Sequence, residues 1–222
     1  GRGDDAYKAH WVSGRVRLEG TPPVPDRVIA AAQISRDCRA HGEIRTENWK
    51  VGTNGALADV VVWIANAPTN TIATAVVREI TQRGCRYIPH VTSARVGDPV
   101  FVSNEDDTLH NVRGQPHPPT GRSLFNIGQP MKGLRNEVKF LGPGRYTLGC
   151  DIHPWMESWV LVFPHGWHAV SDANGRFALP AGLPDGDYEL QAWHKGFREP
   201  LKQPVQVRDG AADVTLVFAI GR

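Results

Sequence analysis

No stretch of this 222-residue chain approaches the roughly 18 to 20 consecutive apolar residues needed to cross a bilayer as a helix, and the most apolar segment, Ala56 to Ala67, is interrupted by Asp59. No integral membrane segment is expected. A block of like charge is also missing: 25 Lys and Arg stand against 23 Asp and Glu, interspersed along the chain, for a formal charge of +2. Without a polybasic stripe, neither a nucleic acid nor an anionic membrane surface is an expected partner. The chain has no Gly-x-Ser-x-Gly nucleophile elbow, no Gly-rich phosphate loop and no His-Glu-x-x-His helix, so the chemistries those motifs carry are set aside. The acidic run Asn104-Glu-Asp-Asp107 lacks the ligand spacing of an EF-hand and reads as a turn. A signal-peptide pattern is absent and the sequence opens on Gly1, which fits a trimmed mature form and is consistent with export without showing it.

Sulfur is scarce, with three cysteines and two methionines, yet one of each falls in a single short stretch, Gly142 to Met156. There Cys150, His153 and Met156 follow one another at intervals of three. A thiolate, an imidazole and a thioether make a soft ligand set, suited to copper rather than to calcium or magnesium. Taken alone, the same triplet also reads as a buried free thiol, a surface histidine and a core methionine. If Cys150 is a ligand, Cys38 and Cys85 are left as a disulfide pair, which belongs to an oxidising compartment such as a periplasm. The other reading is two reduced, buried cysteines.

Hydrophobic residues make up 41% of the chain and come mostly in short Val-rich runs broken by 23 Gly, 17 Pro, Asn and Asp. That pattern predicts many short strands, and the length suits two modest domains. Trp11 to Leu18 alternates as a strand with one buried face, and Gly20 to Pro25 cannot continue a sheet interior. Residues 26 to 52 show no clear period. Ala56 to Ala65 reads as a central strand, ended by Asn66, Pro68 and Asn70, whereas Thr71 to Ile80 fits a short helix or a strand equally. Further strands are expected around Cys85 to Val91, Val100 to Val102, Thr108 to Val112, Glu137 to Leu141, Arg145 to Cys150 and Trp159 to Phe163, with Gln115 to Gly121 an exposed loop.

The block from about Cys85 to Phe163 resembles the cupredoxins, small blue-copper sandwich proteins. Val96-Gly-Asp98 with a strand ending in Asn104 looks like the lead-in to the family's first copper histidine. His110-Asn111-Val112 looks like that histidine and the asparagine that follows it. Pro143-Gly-Arg-Tyr146 with Cys150, His153 and Met156 looks like the closing loop, its two-residue gaps and Pro154 being most similar to amicyanin. The resemblance implies one type 1 copper held by His110, Cys150, His153 and Met156, with Asn111 tying the two ligand segments together and Tyr146 anchoring a sandwich corner. It also implies that His153 reaches the surface through an apolar patch, for which Pro154, Trp155, Pro130 and Met131 are candidates; Trp155 packing between domains is the equal alternative. The implied activity is one-electron transfer between redox partner proteins in the periplasm or outside the cell, rather than enzymatic turnover. Copper storage or chaperoning, and a partner-binding module without redox turnover, are the alternatives. His90, His165, His168 and His194 read as structural or exposed, a fifth ligand or a second metal site being the alternative; His165 and His168 are spaced at three, but no carboxylate or cysteine joins them to complete a site.

The flanks are different. Ser171 to Pro180, Leu183 to Leu190 and the alternating Asp213 to Phe218 look like the second half of a carboxypeptidase-regulatory, transthyretin-like β-sandwich, whose opening strands Gly14-Arg-Val16 and Val60-Val-Val62 would supply. The expected architecture is all-β: a Greek-key cupredoxin at 81–164 inserted in, or flanked by, a second sandwich built from 1–80 and 165–222. A Cys38 to Cys85 disulfide would tie that sandwich to the insertion.

Overall fold

The computed structural model of the chain describes residues 11–68 and 75–221, and its regular structure is almost all strand. In chain order the elements are β1 (Val12–Glu19), a single-turn helix α1 (Arg36–Arg39), β2 (Val61–Ile64), β3 (Arg78–Gln82), β4 (Tyr87–Ile88), β5 (Val91–Arg95), β6 (Val100–Asn104), β7 (His110–Pro116), β8 (Phe125–Gln129), β9 (Arg135–Val138), β10 (Gly144–Gly149), β11 (Glu157–Phe163), β12 (His168–Val170), β13 (Arg176–Ala178), β14 (Gly186–Trp193), β15 (Leu201–Val207) and β16 (Ala212–Ala219). The all-β expectation holds. Of the ambiguous segment Thr71 to Ile80, residues 78–80 are the start of β3; residues 71–74, like Asn70 and the polar start at 1–10, lie outside the described residues.

The chain divides into two compact units. The described residues 11–23, 50–68 and 167–221 form the first, and 24–49 with 75–166 form the second. Residues 24–49, 75–80 and 165–166, expected in the flanking sandwich, belong to the second unit. For 24–49 the cause is burial, since Ile34, Cys38 and Ile44 lie in that unit's core. The Cys38–Cys85 disulfide is present, and it is internal to this unit rather than a tie to the flanking sandwich.

The first unit has a three-stranded sheet, β13-β1-β16, and a four-stranded sheet, β12-β2-β14-β15. The alternation of β1 buries Val12, Val16 and Leu18 and exposes Arg15 and Arg17. β1 runs parallel to β16 from Val12 opposite Ala212 to Glu19 opposite Ala219, so the first and last strands of the chain are neighbours. Gly14 permits that closeness, because a Cβ there would lie 1.9 Å from the Val214 carbonyl oxygen. Val61, Val62 and Ile64 of β2 are buried, as the Val-rich run requires for a strand with neighbours on both edges.

The second unit has a five-stranded sheet, β5-β11-β10-β7-β8, and a four-stranded sheet, β4-β3-β6-β9. Both contribute to one core, including Ile80, Val100 and Val138 from the smaller sheet and Val112, Leu148, Val160 and Val162 from the larger. Each such side chain stabilises the unit by about 1.5–3 kcal/mol. Tyr146 donates its hydroxyl to the Gly142 carbonyl at 2.8 Å, which closes the turn that opens β10. β10 pairs antiparallel with β7, Gly149 opposite Arg113, so the residue leaving β10 arrives beside the residues that begin β7. Those residues are Cys150, His110 and Asn111.

Candidate metal centre

Three of the four anticipated ligands come together. Cys150 Sγ, His153 Nδ1 and His110 Nδ1 lie within 4.8 Å of one another, and all three residues are buried. The two imidazole Nδ1 atoms are 3.0 Å apart, and Cys150 Sγ is 3.6 Å from His153 Nδ1. Donors held about 2.0 Å (nitrogen) and 2.3 Å (sulfur) from one first-row ion stand about 3 to 4 Å from each other, so the spacing fits a shared ion. Met156 is 3% exposed, belongs to the same core cluster as Cys150, and donates its backbone N–H to the His153 carbonyl at 2.9 Å. Two other groupings of potential ligands, Cys38-Cys85-His153 and His41-Cys85-Asp106, both include Cys85, whose sulfur is committed to the disulfide.

The tautomer of His110 follows from its other side. Its Nε2 lies 2.9 Å from Asp106 Oδ2; facing a carboxylate, that nitrogen carries the proton, and Nδ1 is left as a bare lone pair aimed into the cluster. Burial would raise Asp106, but hydrogen bonds from the Cys85 N–H, the His110 ring and the Gly84 N–H outweigh it and hold the carboxyl below its ordinary range. Burial lowers His110 more than Asp106 raises it. Burial, followed by the nearby His110 ring, pushes His153 down to about 4, so at neutral pH both rings are neutral and both can ligate. The His110 lone pair, the His153 ring and a thiol converging in a buried space form a donor set suited to a soft cation.

Asn111 connects the two ligand segments. Its Oδ1 accepts the Asp151 N–H at 2.7 Å and lies 3.3 Å from Cys150 Sγ, while its backbone N–H points at that sulfur from 3.5 Å. Its Nδ2 donates to Asn126 Oδ1 at 2.7 Å and to Asp151 Oδ2 at 3.0 Å, and Arg113 Nε meets Asp151 Oδ1 at 2.7 Å. From the opposite sheet the Tyr87 hydroxyl donates to the carbonyls of Asn111 and Gly149, at 2.9 and 3.1 Å. Burial and then the nearby Cys150 push the phenol well above its ordinary value, so it remains a donor. The strand that brings His110 and the strand that delivers Cys150 are thus pinned together from both sides.

His153 does not reach the surface. It is 1% exposed; Ser35 Oγ stands 3.4 Å from its Nε2, and the Trp155 ring tilts over it with centroids 5.2 Å apart. Trp155 is half-buried and donates Nε1–H to the Cys85 carbonyl at 3.0 Å, so it packs within the second unit. Pro154 and Pro130 are exposed, and Met131 is 64% exposed. The cover comes from residues 24–49, whose Ser35 caps α1 and whose Cys38 is bonded to Cys85. Pattern reading misses this because the segment has no period; the cysteine pair is its one sequence signal.

Asp106, Ser35, Tyr87 and Asn126 escaped the sequence reading. A carboxylate four residues before His110 was the available signal for Asp106. His90 lies in the bend before β5, with Nδ1 3.0 Å from the Glu157 carbonyl and 3.6 Å from Glu47, and it takes no part in the cluster. His165, His168 and His194 are buried and likewise absent from it.

No protein-family model matches the chain, and no curated protein does. Solved structures similar to part of it are cupredoxins. A purple cupredoxin from Nitrosopumilus maritimus is 27% identical over 38% of this chain and 98% of its own, with a TM-score of 0.34. Amicyanin from Paracoccus versutus is 22% identical over 46% of this chain and 96% of its own, TM-score 0.34. A copper-containing nitrite reductase from Thermus scotoductus is 22% identical over 44% of this chain but only 24% of its own, TM-score 0.33.

Proposed function

We propose that the second unit is a type 1 copper domain carrying single electrons between redox partner proteins, in which His110, Cys150, His153 and Met156 would hold the copper. The observation that carries this reading is the convergence of His110 Nδ1, His153 Nδ1 and Cys150 Sγ in one buried space. Bound copper supplies a one-electron couple between its divalent and monovalent states. The chain's own residues hold the ligands so that little moves when charge changes. Asp106 fixes the His110 ring, and the Asn111 and Tyr87 hydrogen bonds fix the approach of β7 to β10. The Asn111 backbone N–H remains a donor to Cys150 sulfur once the thiol proton has left.

Oxidised, copper-loaded protein is expected to show an intense visible thiolate-to-copper band that is lost in Cys150→Ser and shifted in Met156→Leu. A colourless protein that binds copper stoichiometrically with all four residues intact would sink the assignment. The buried position of His153 favours a second reading, copper storage, because a covered ligand exchanges electrons slowly. Self-exchange measured by NMR line broadening separates the two: a carrier broadens, a store does not. If electrons leave through the covered side, the exposed Met131 and Pro154 with half-buried Trp155 are the surface they would use.

The first unit we assign to the carboxypeptidase-regulatory, transthyretin-like sandwiches, with the copper unit as an insertion. Its support is the pairing of β1 with β16 and the place of β2 between β12 and β14, which joins the two flanks into common sheets. A disulfide and a copper thiolate suit the periplasm or the extracellular space.

A further inference from the structure

The first unit holds a cavity of about 300 Å³ whose walls include Arg15, Arg17, Thr53, Asn54 and Asn174. It forms where β1 changes partner. Over Ser13 to Arg15 the strand pairs with β13, Arg15 standing opposite Arg176; by Arg17 its neighbour is Ala56. Between the two, Val16 joins both arriving loops, donating its N–H to the Gly175 carbonyl at 2.7 Å and accepting the Leu57 N–H at 3.0 Å. Each loop carries an Asn-Gly pair, Asn54-Gly55 and Asn174-Gly175. A Cβ on Gly55 would stand 2.5 Å from the Leu18 oxygen, and one on Gly175 2.4 Å from the Val16 oxygen; their φ angles are +74° and +70°. Glycine alone tolerates both the angle and the approach, so these turns are seated hard against β1 and their asparagines are fixed at the cavity wall.

Among the described residues nothing compensates the charge in this cavity. Strand alternation puts Arg15 and Arg17 on the same outward face, about 6.6 Å apart. Arg176 directly across from Arg15 is a like-charge pair, which is unfavourable in itself. Among the described residues no carboxylate forms an ion pair with Arg15, Arg17 or Arg176. Arg17 donates Nε–H to the Asn54 carbonyl at 3.1 Å, which orients its guanidinium and leaves the other N–H groups for a ligand.

We propose that this cavity binds a small organic polyanion, two carboxylate or phosphate groups joined by a short hydroxylated linker. The two guanidinium groups take the anionic ends, and Thr53, Asn54 and Asn174 hydrogen-bond the linker. The volume is about ten times the share of one liquid water and at the lower end of small-molecule sites, larger than a lone phosphate requires.

The test is titration of the full metal-free chain with citrate and with fructose 1,6-bisphosphate, followed by calorimetry and backbone-amide NMR, with acetate as the single-charge control. At least one polyanion is expected to bind at one equivalent and to shift the amides of Thr53–Gly55 and Asn174–Gly175. Citrate alone assigns a polycarboxylate, the bisphosphate alone a phosphorylated ligand. Arg15→Gln and Arg17→Gln should each weaken binding about tenfold or more, with unchanged thermal unfolding showing that the sheet is intact. Cys150→Ser should leave binding unaltered, which keeps this site separate from the copper assignment. Failure of both polyanions to saturate the protein, equal affinity for acetate, or undiminished binding in the Arg15→Gln/Arg17→Gln double variant would overturn the proposal.

Discussion

Asp106 accepts the backbone N–H groups of Gly84 and Cys85 at 2.7 and 2.8 Å and faces His110 Nε2, so one carboxylate orients the His110 ring and fastens the disulfide loop. Asp106→Asn keeps one acceptor oxygen and loses the charge. Copper affinity should fall about ten- to a hundredfold by competitive chelator titration, the usual cost of losing a partner behind a ligating histidine. His194 gives a pH signature for the first unit. Burial, and then Lys195, pushes its pKa from 6.5 down to about 4, and its Nδ1 accepts the Gly196 N–H at 3.1 Å as a neutral ring can. Above pH 6.5 neither state binds a proton and the stability is fully present. As pH falls from 6.5 towards 4 the unfolded chain takes up a proton that the folded one refuses, and stability drops by up to about 3 kcal/mol. His194→Gln should flatten that part of the melting-temperature profile; an unchanged slope would assign the acid sensitivity elsewhere.

At the level of elements, the segment 24–49 governs access to His153. Its hold on the core is the disulfide together with the burial of Ile34 and Ile44, while Asp26 Oδ1, accepting the Asn48 and Trp49 N–H groups at 2.6 and 3.2 Å, ties the two ends of the segment to each other. Replacing both Cys38 and Cys85 by alanine should lower the stability of the second unit by about 2–4 kcal/mol in denaturant titrations. In the copper-loaded protein it should also speed electron self-exchange, because the cover over His153 loosens. The same segment marks the limit of what could be read from residues. β1, β6, β10 and β11 alternate or run apolar, and their positions were legible to within a few residues. Cys150 and His153 stood out by side-chain type and spacing, and His110 by the resemblance of His110-Asn111-Val112 to a cupredoxin motif; the structure brings the three together. The cover was not legible, since disulfide and side-chain-to-backbone bonds leave no periodic trace. β8 was missed for a related reason: it presents only half-buried and exposed positions until Gln129.

The described residues form two compact units, one assembled from three separated stretches of chain and the other holding His110, Cys150 and His153. Calorimetry should resolve two transitions, of which copper raises one, by about 4 kcal/mol at a thousandfold excess over its dissociation constant. A single transition that moves as a whole would mean that the units unfold together. The pairing of β1 with β16 also sets an order of events during synthesis. Val16 lies opposite Leu216, and at about 5–20 residues per second some 10–40 s separate the making of the two. Through that interval the edge of β1 that pairs with β16 has no partner. A nascent chain stalled before Ala212 would therefore hold all the residues of the second unit and a first unit still lacking β16, with a sticky strand edge exposed.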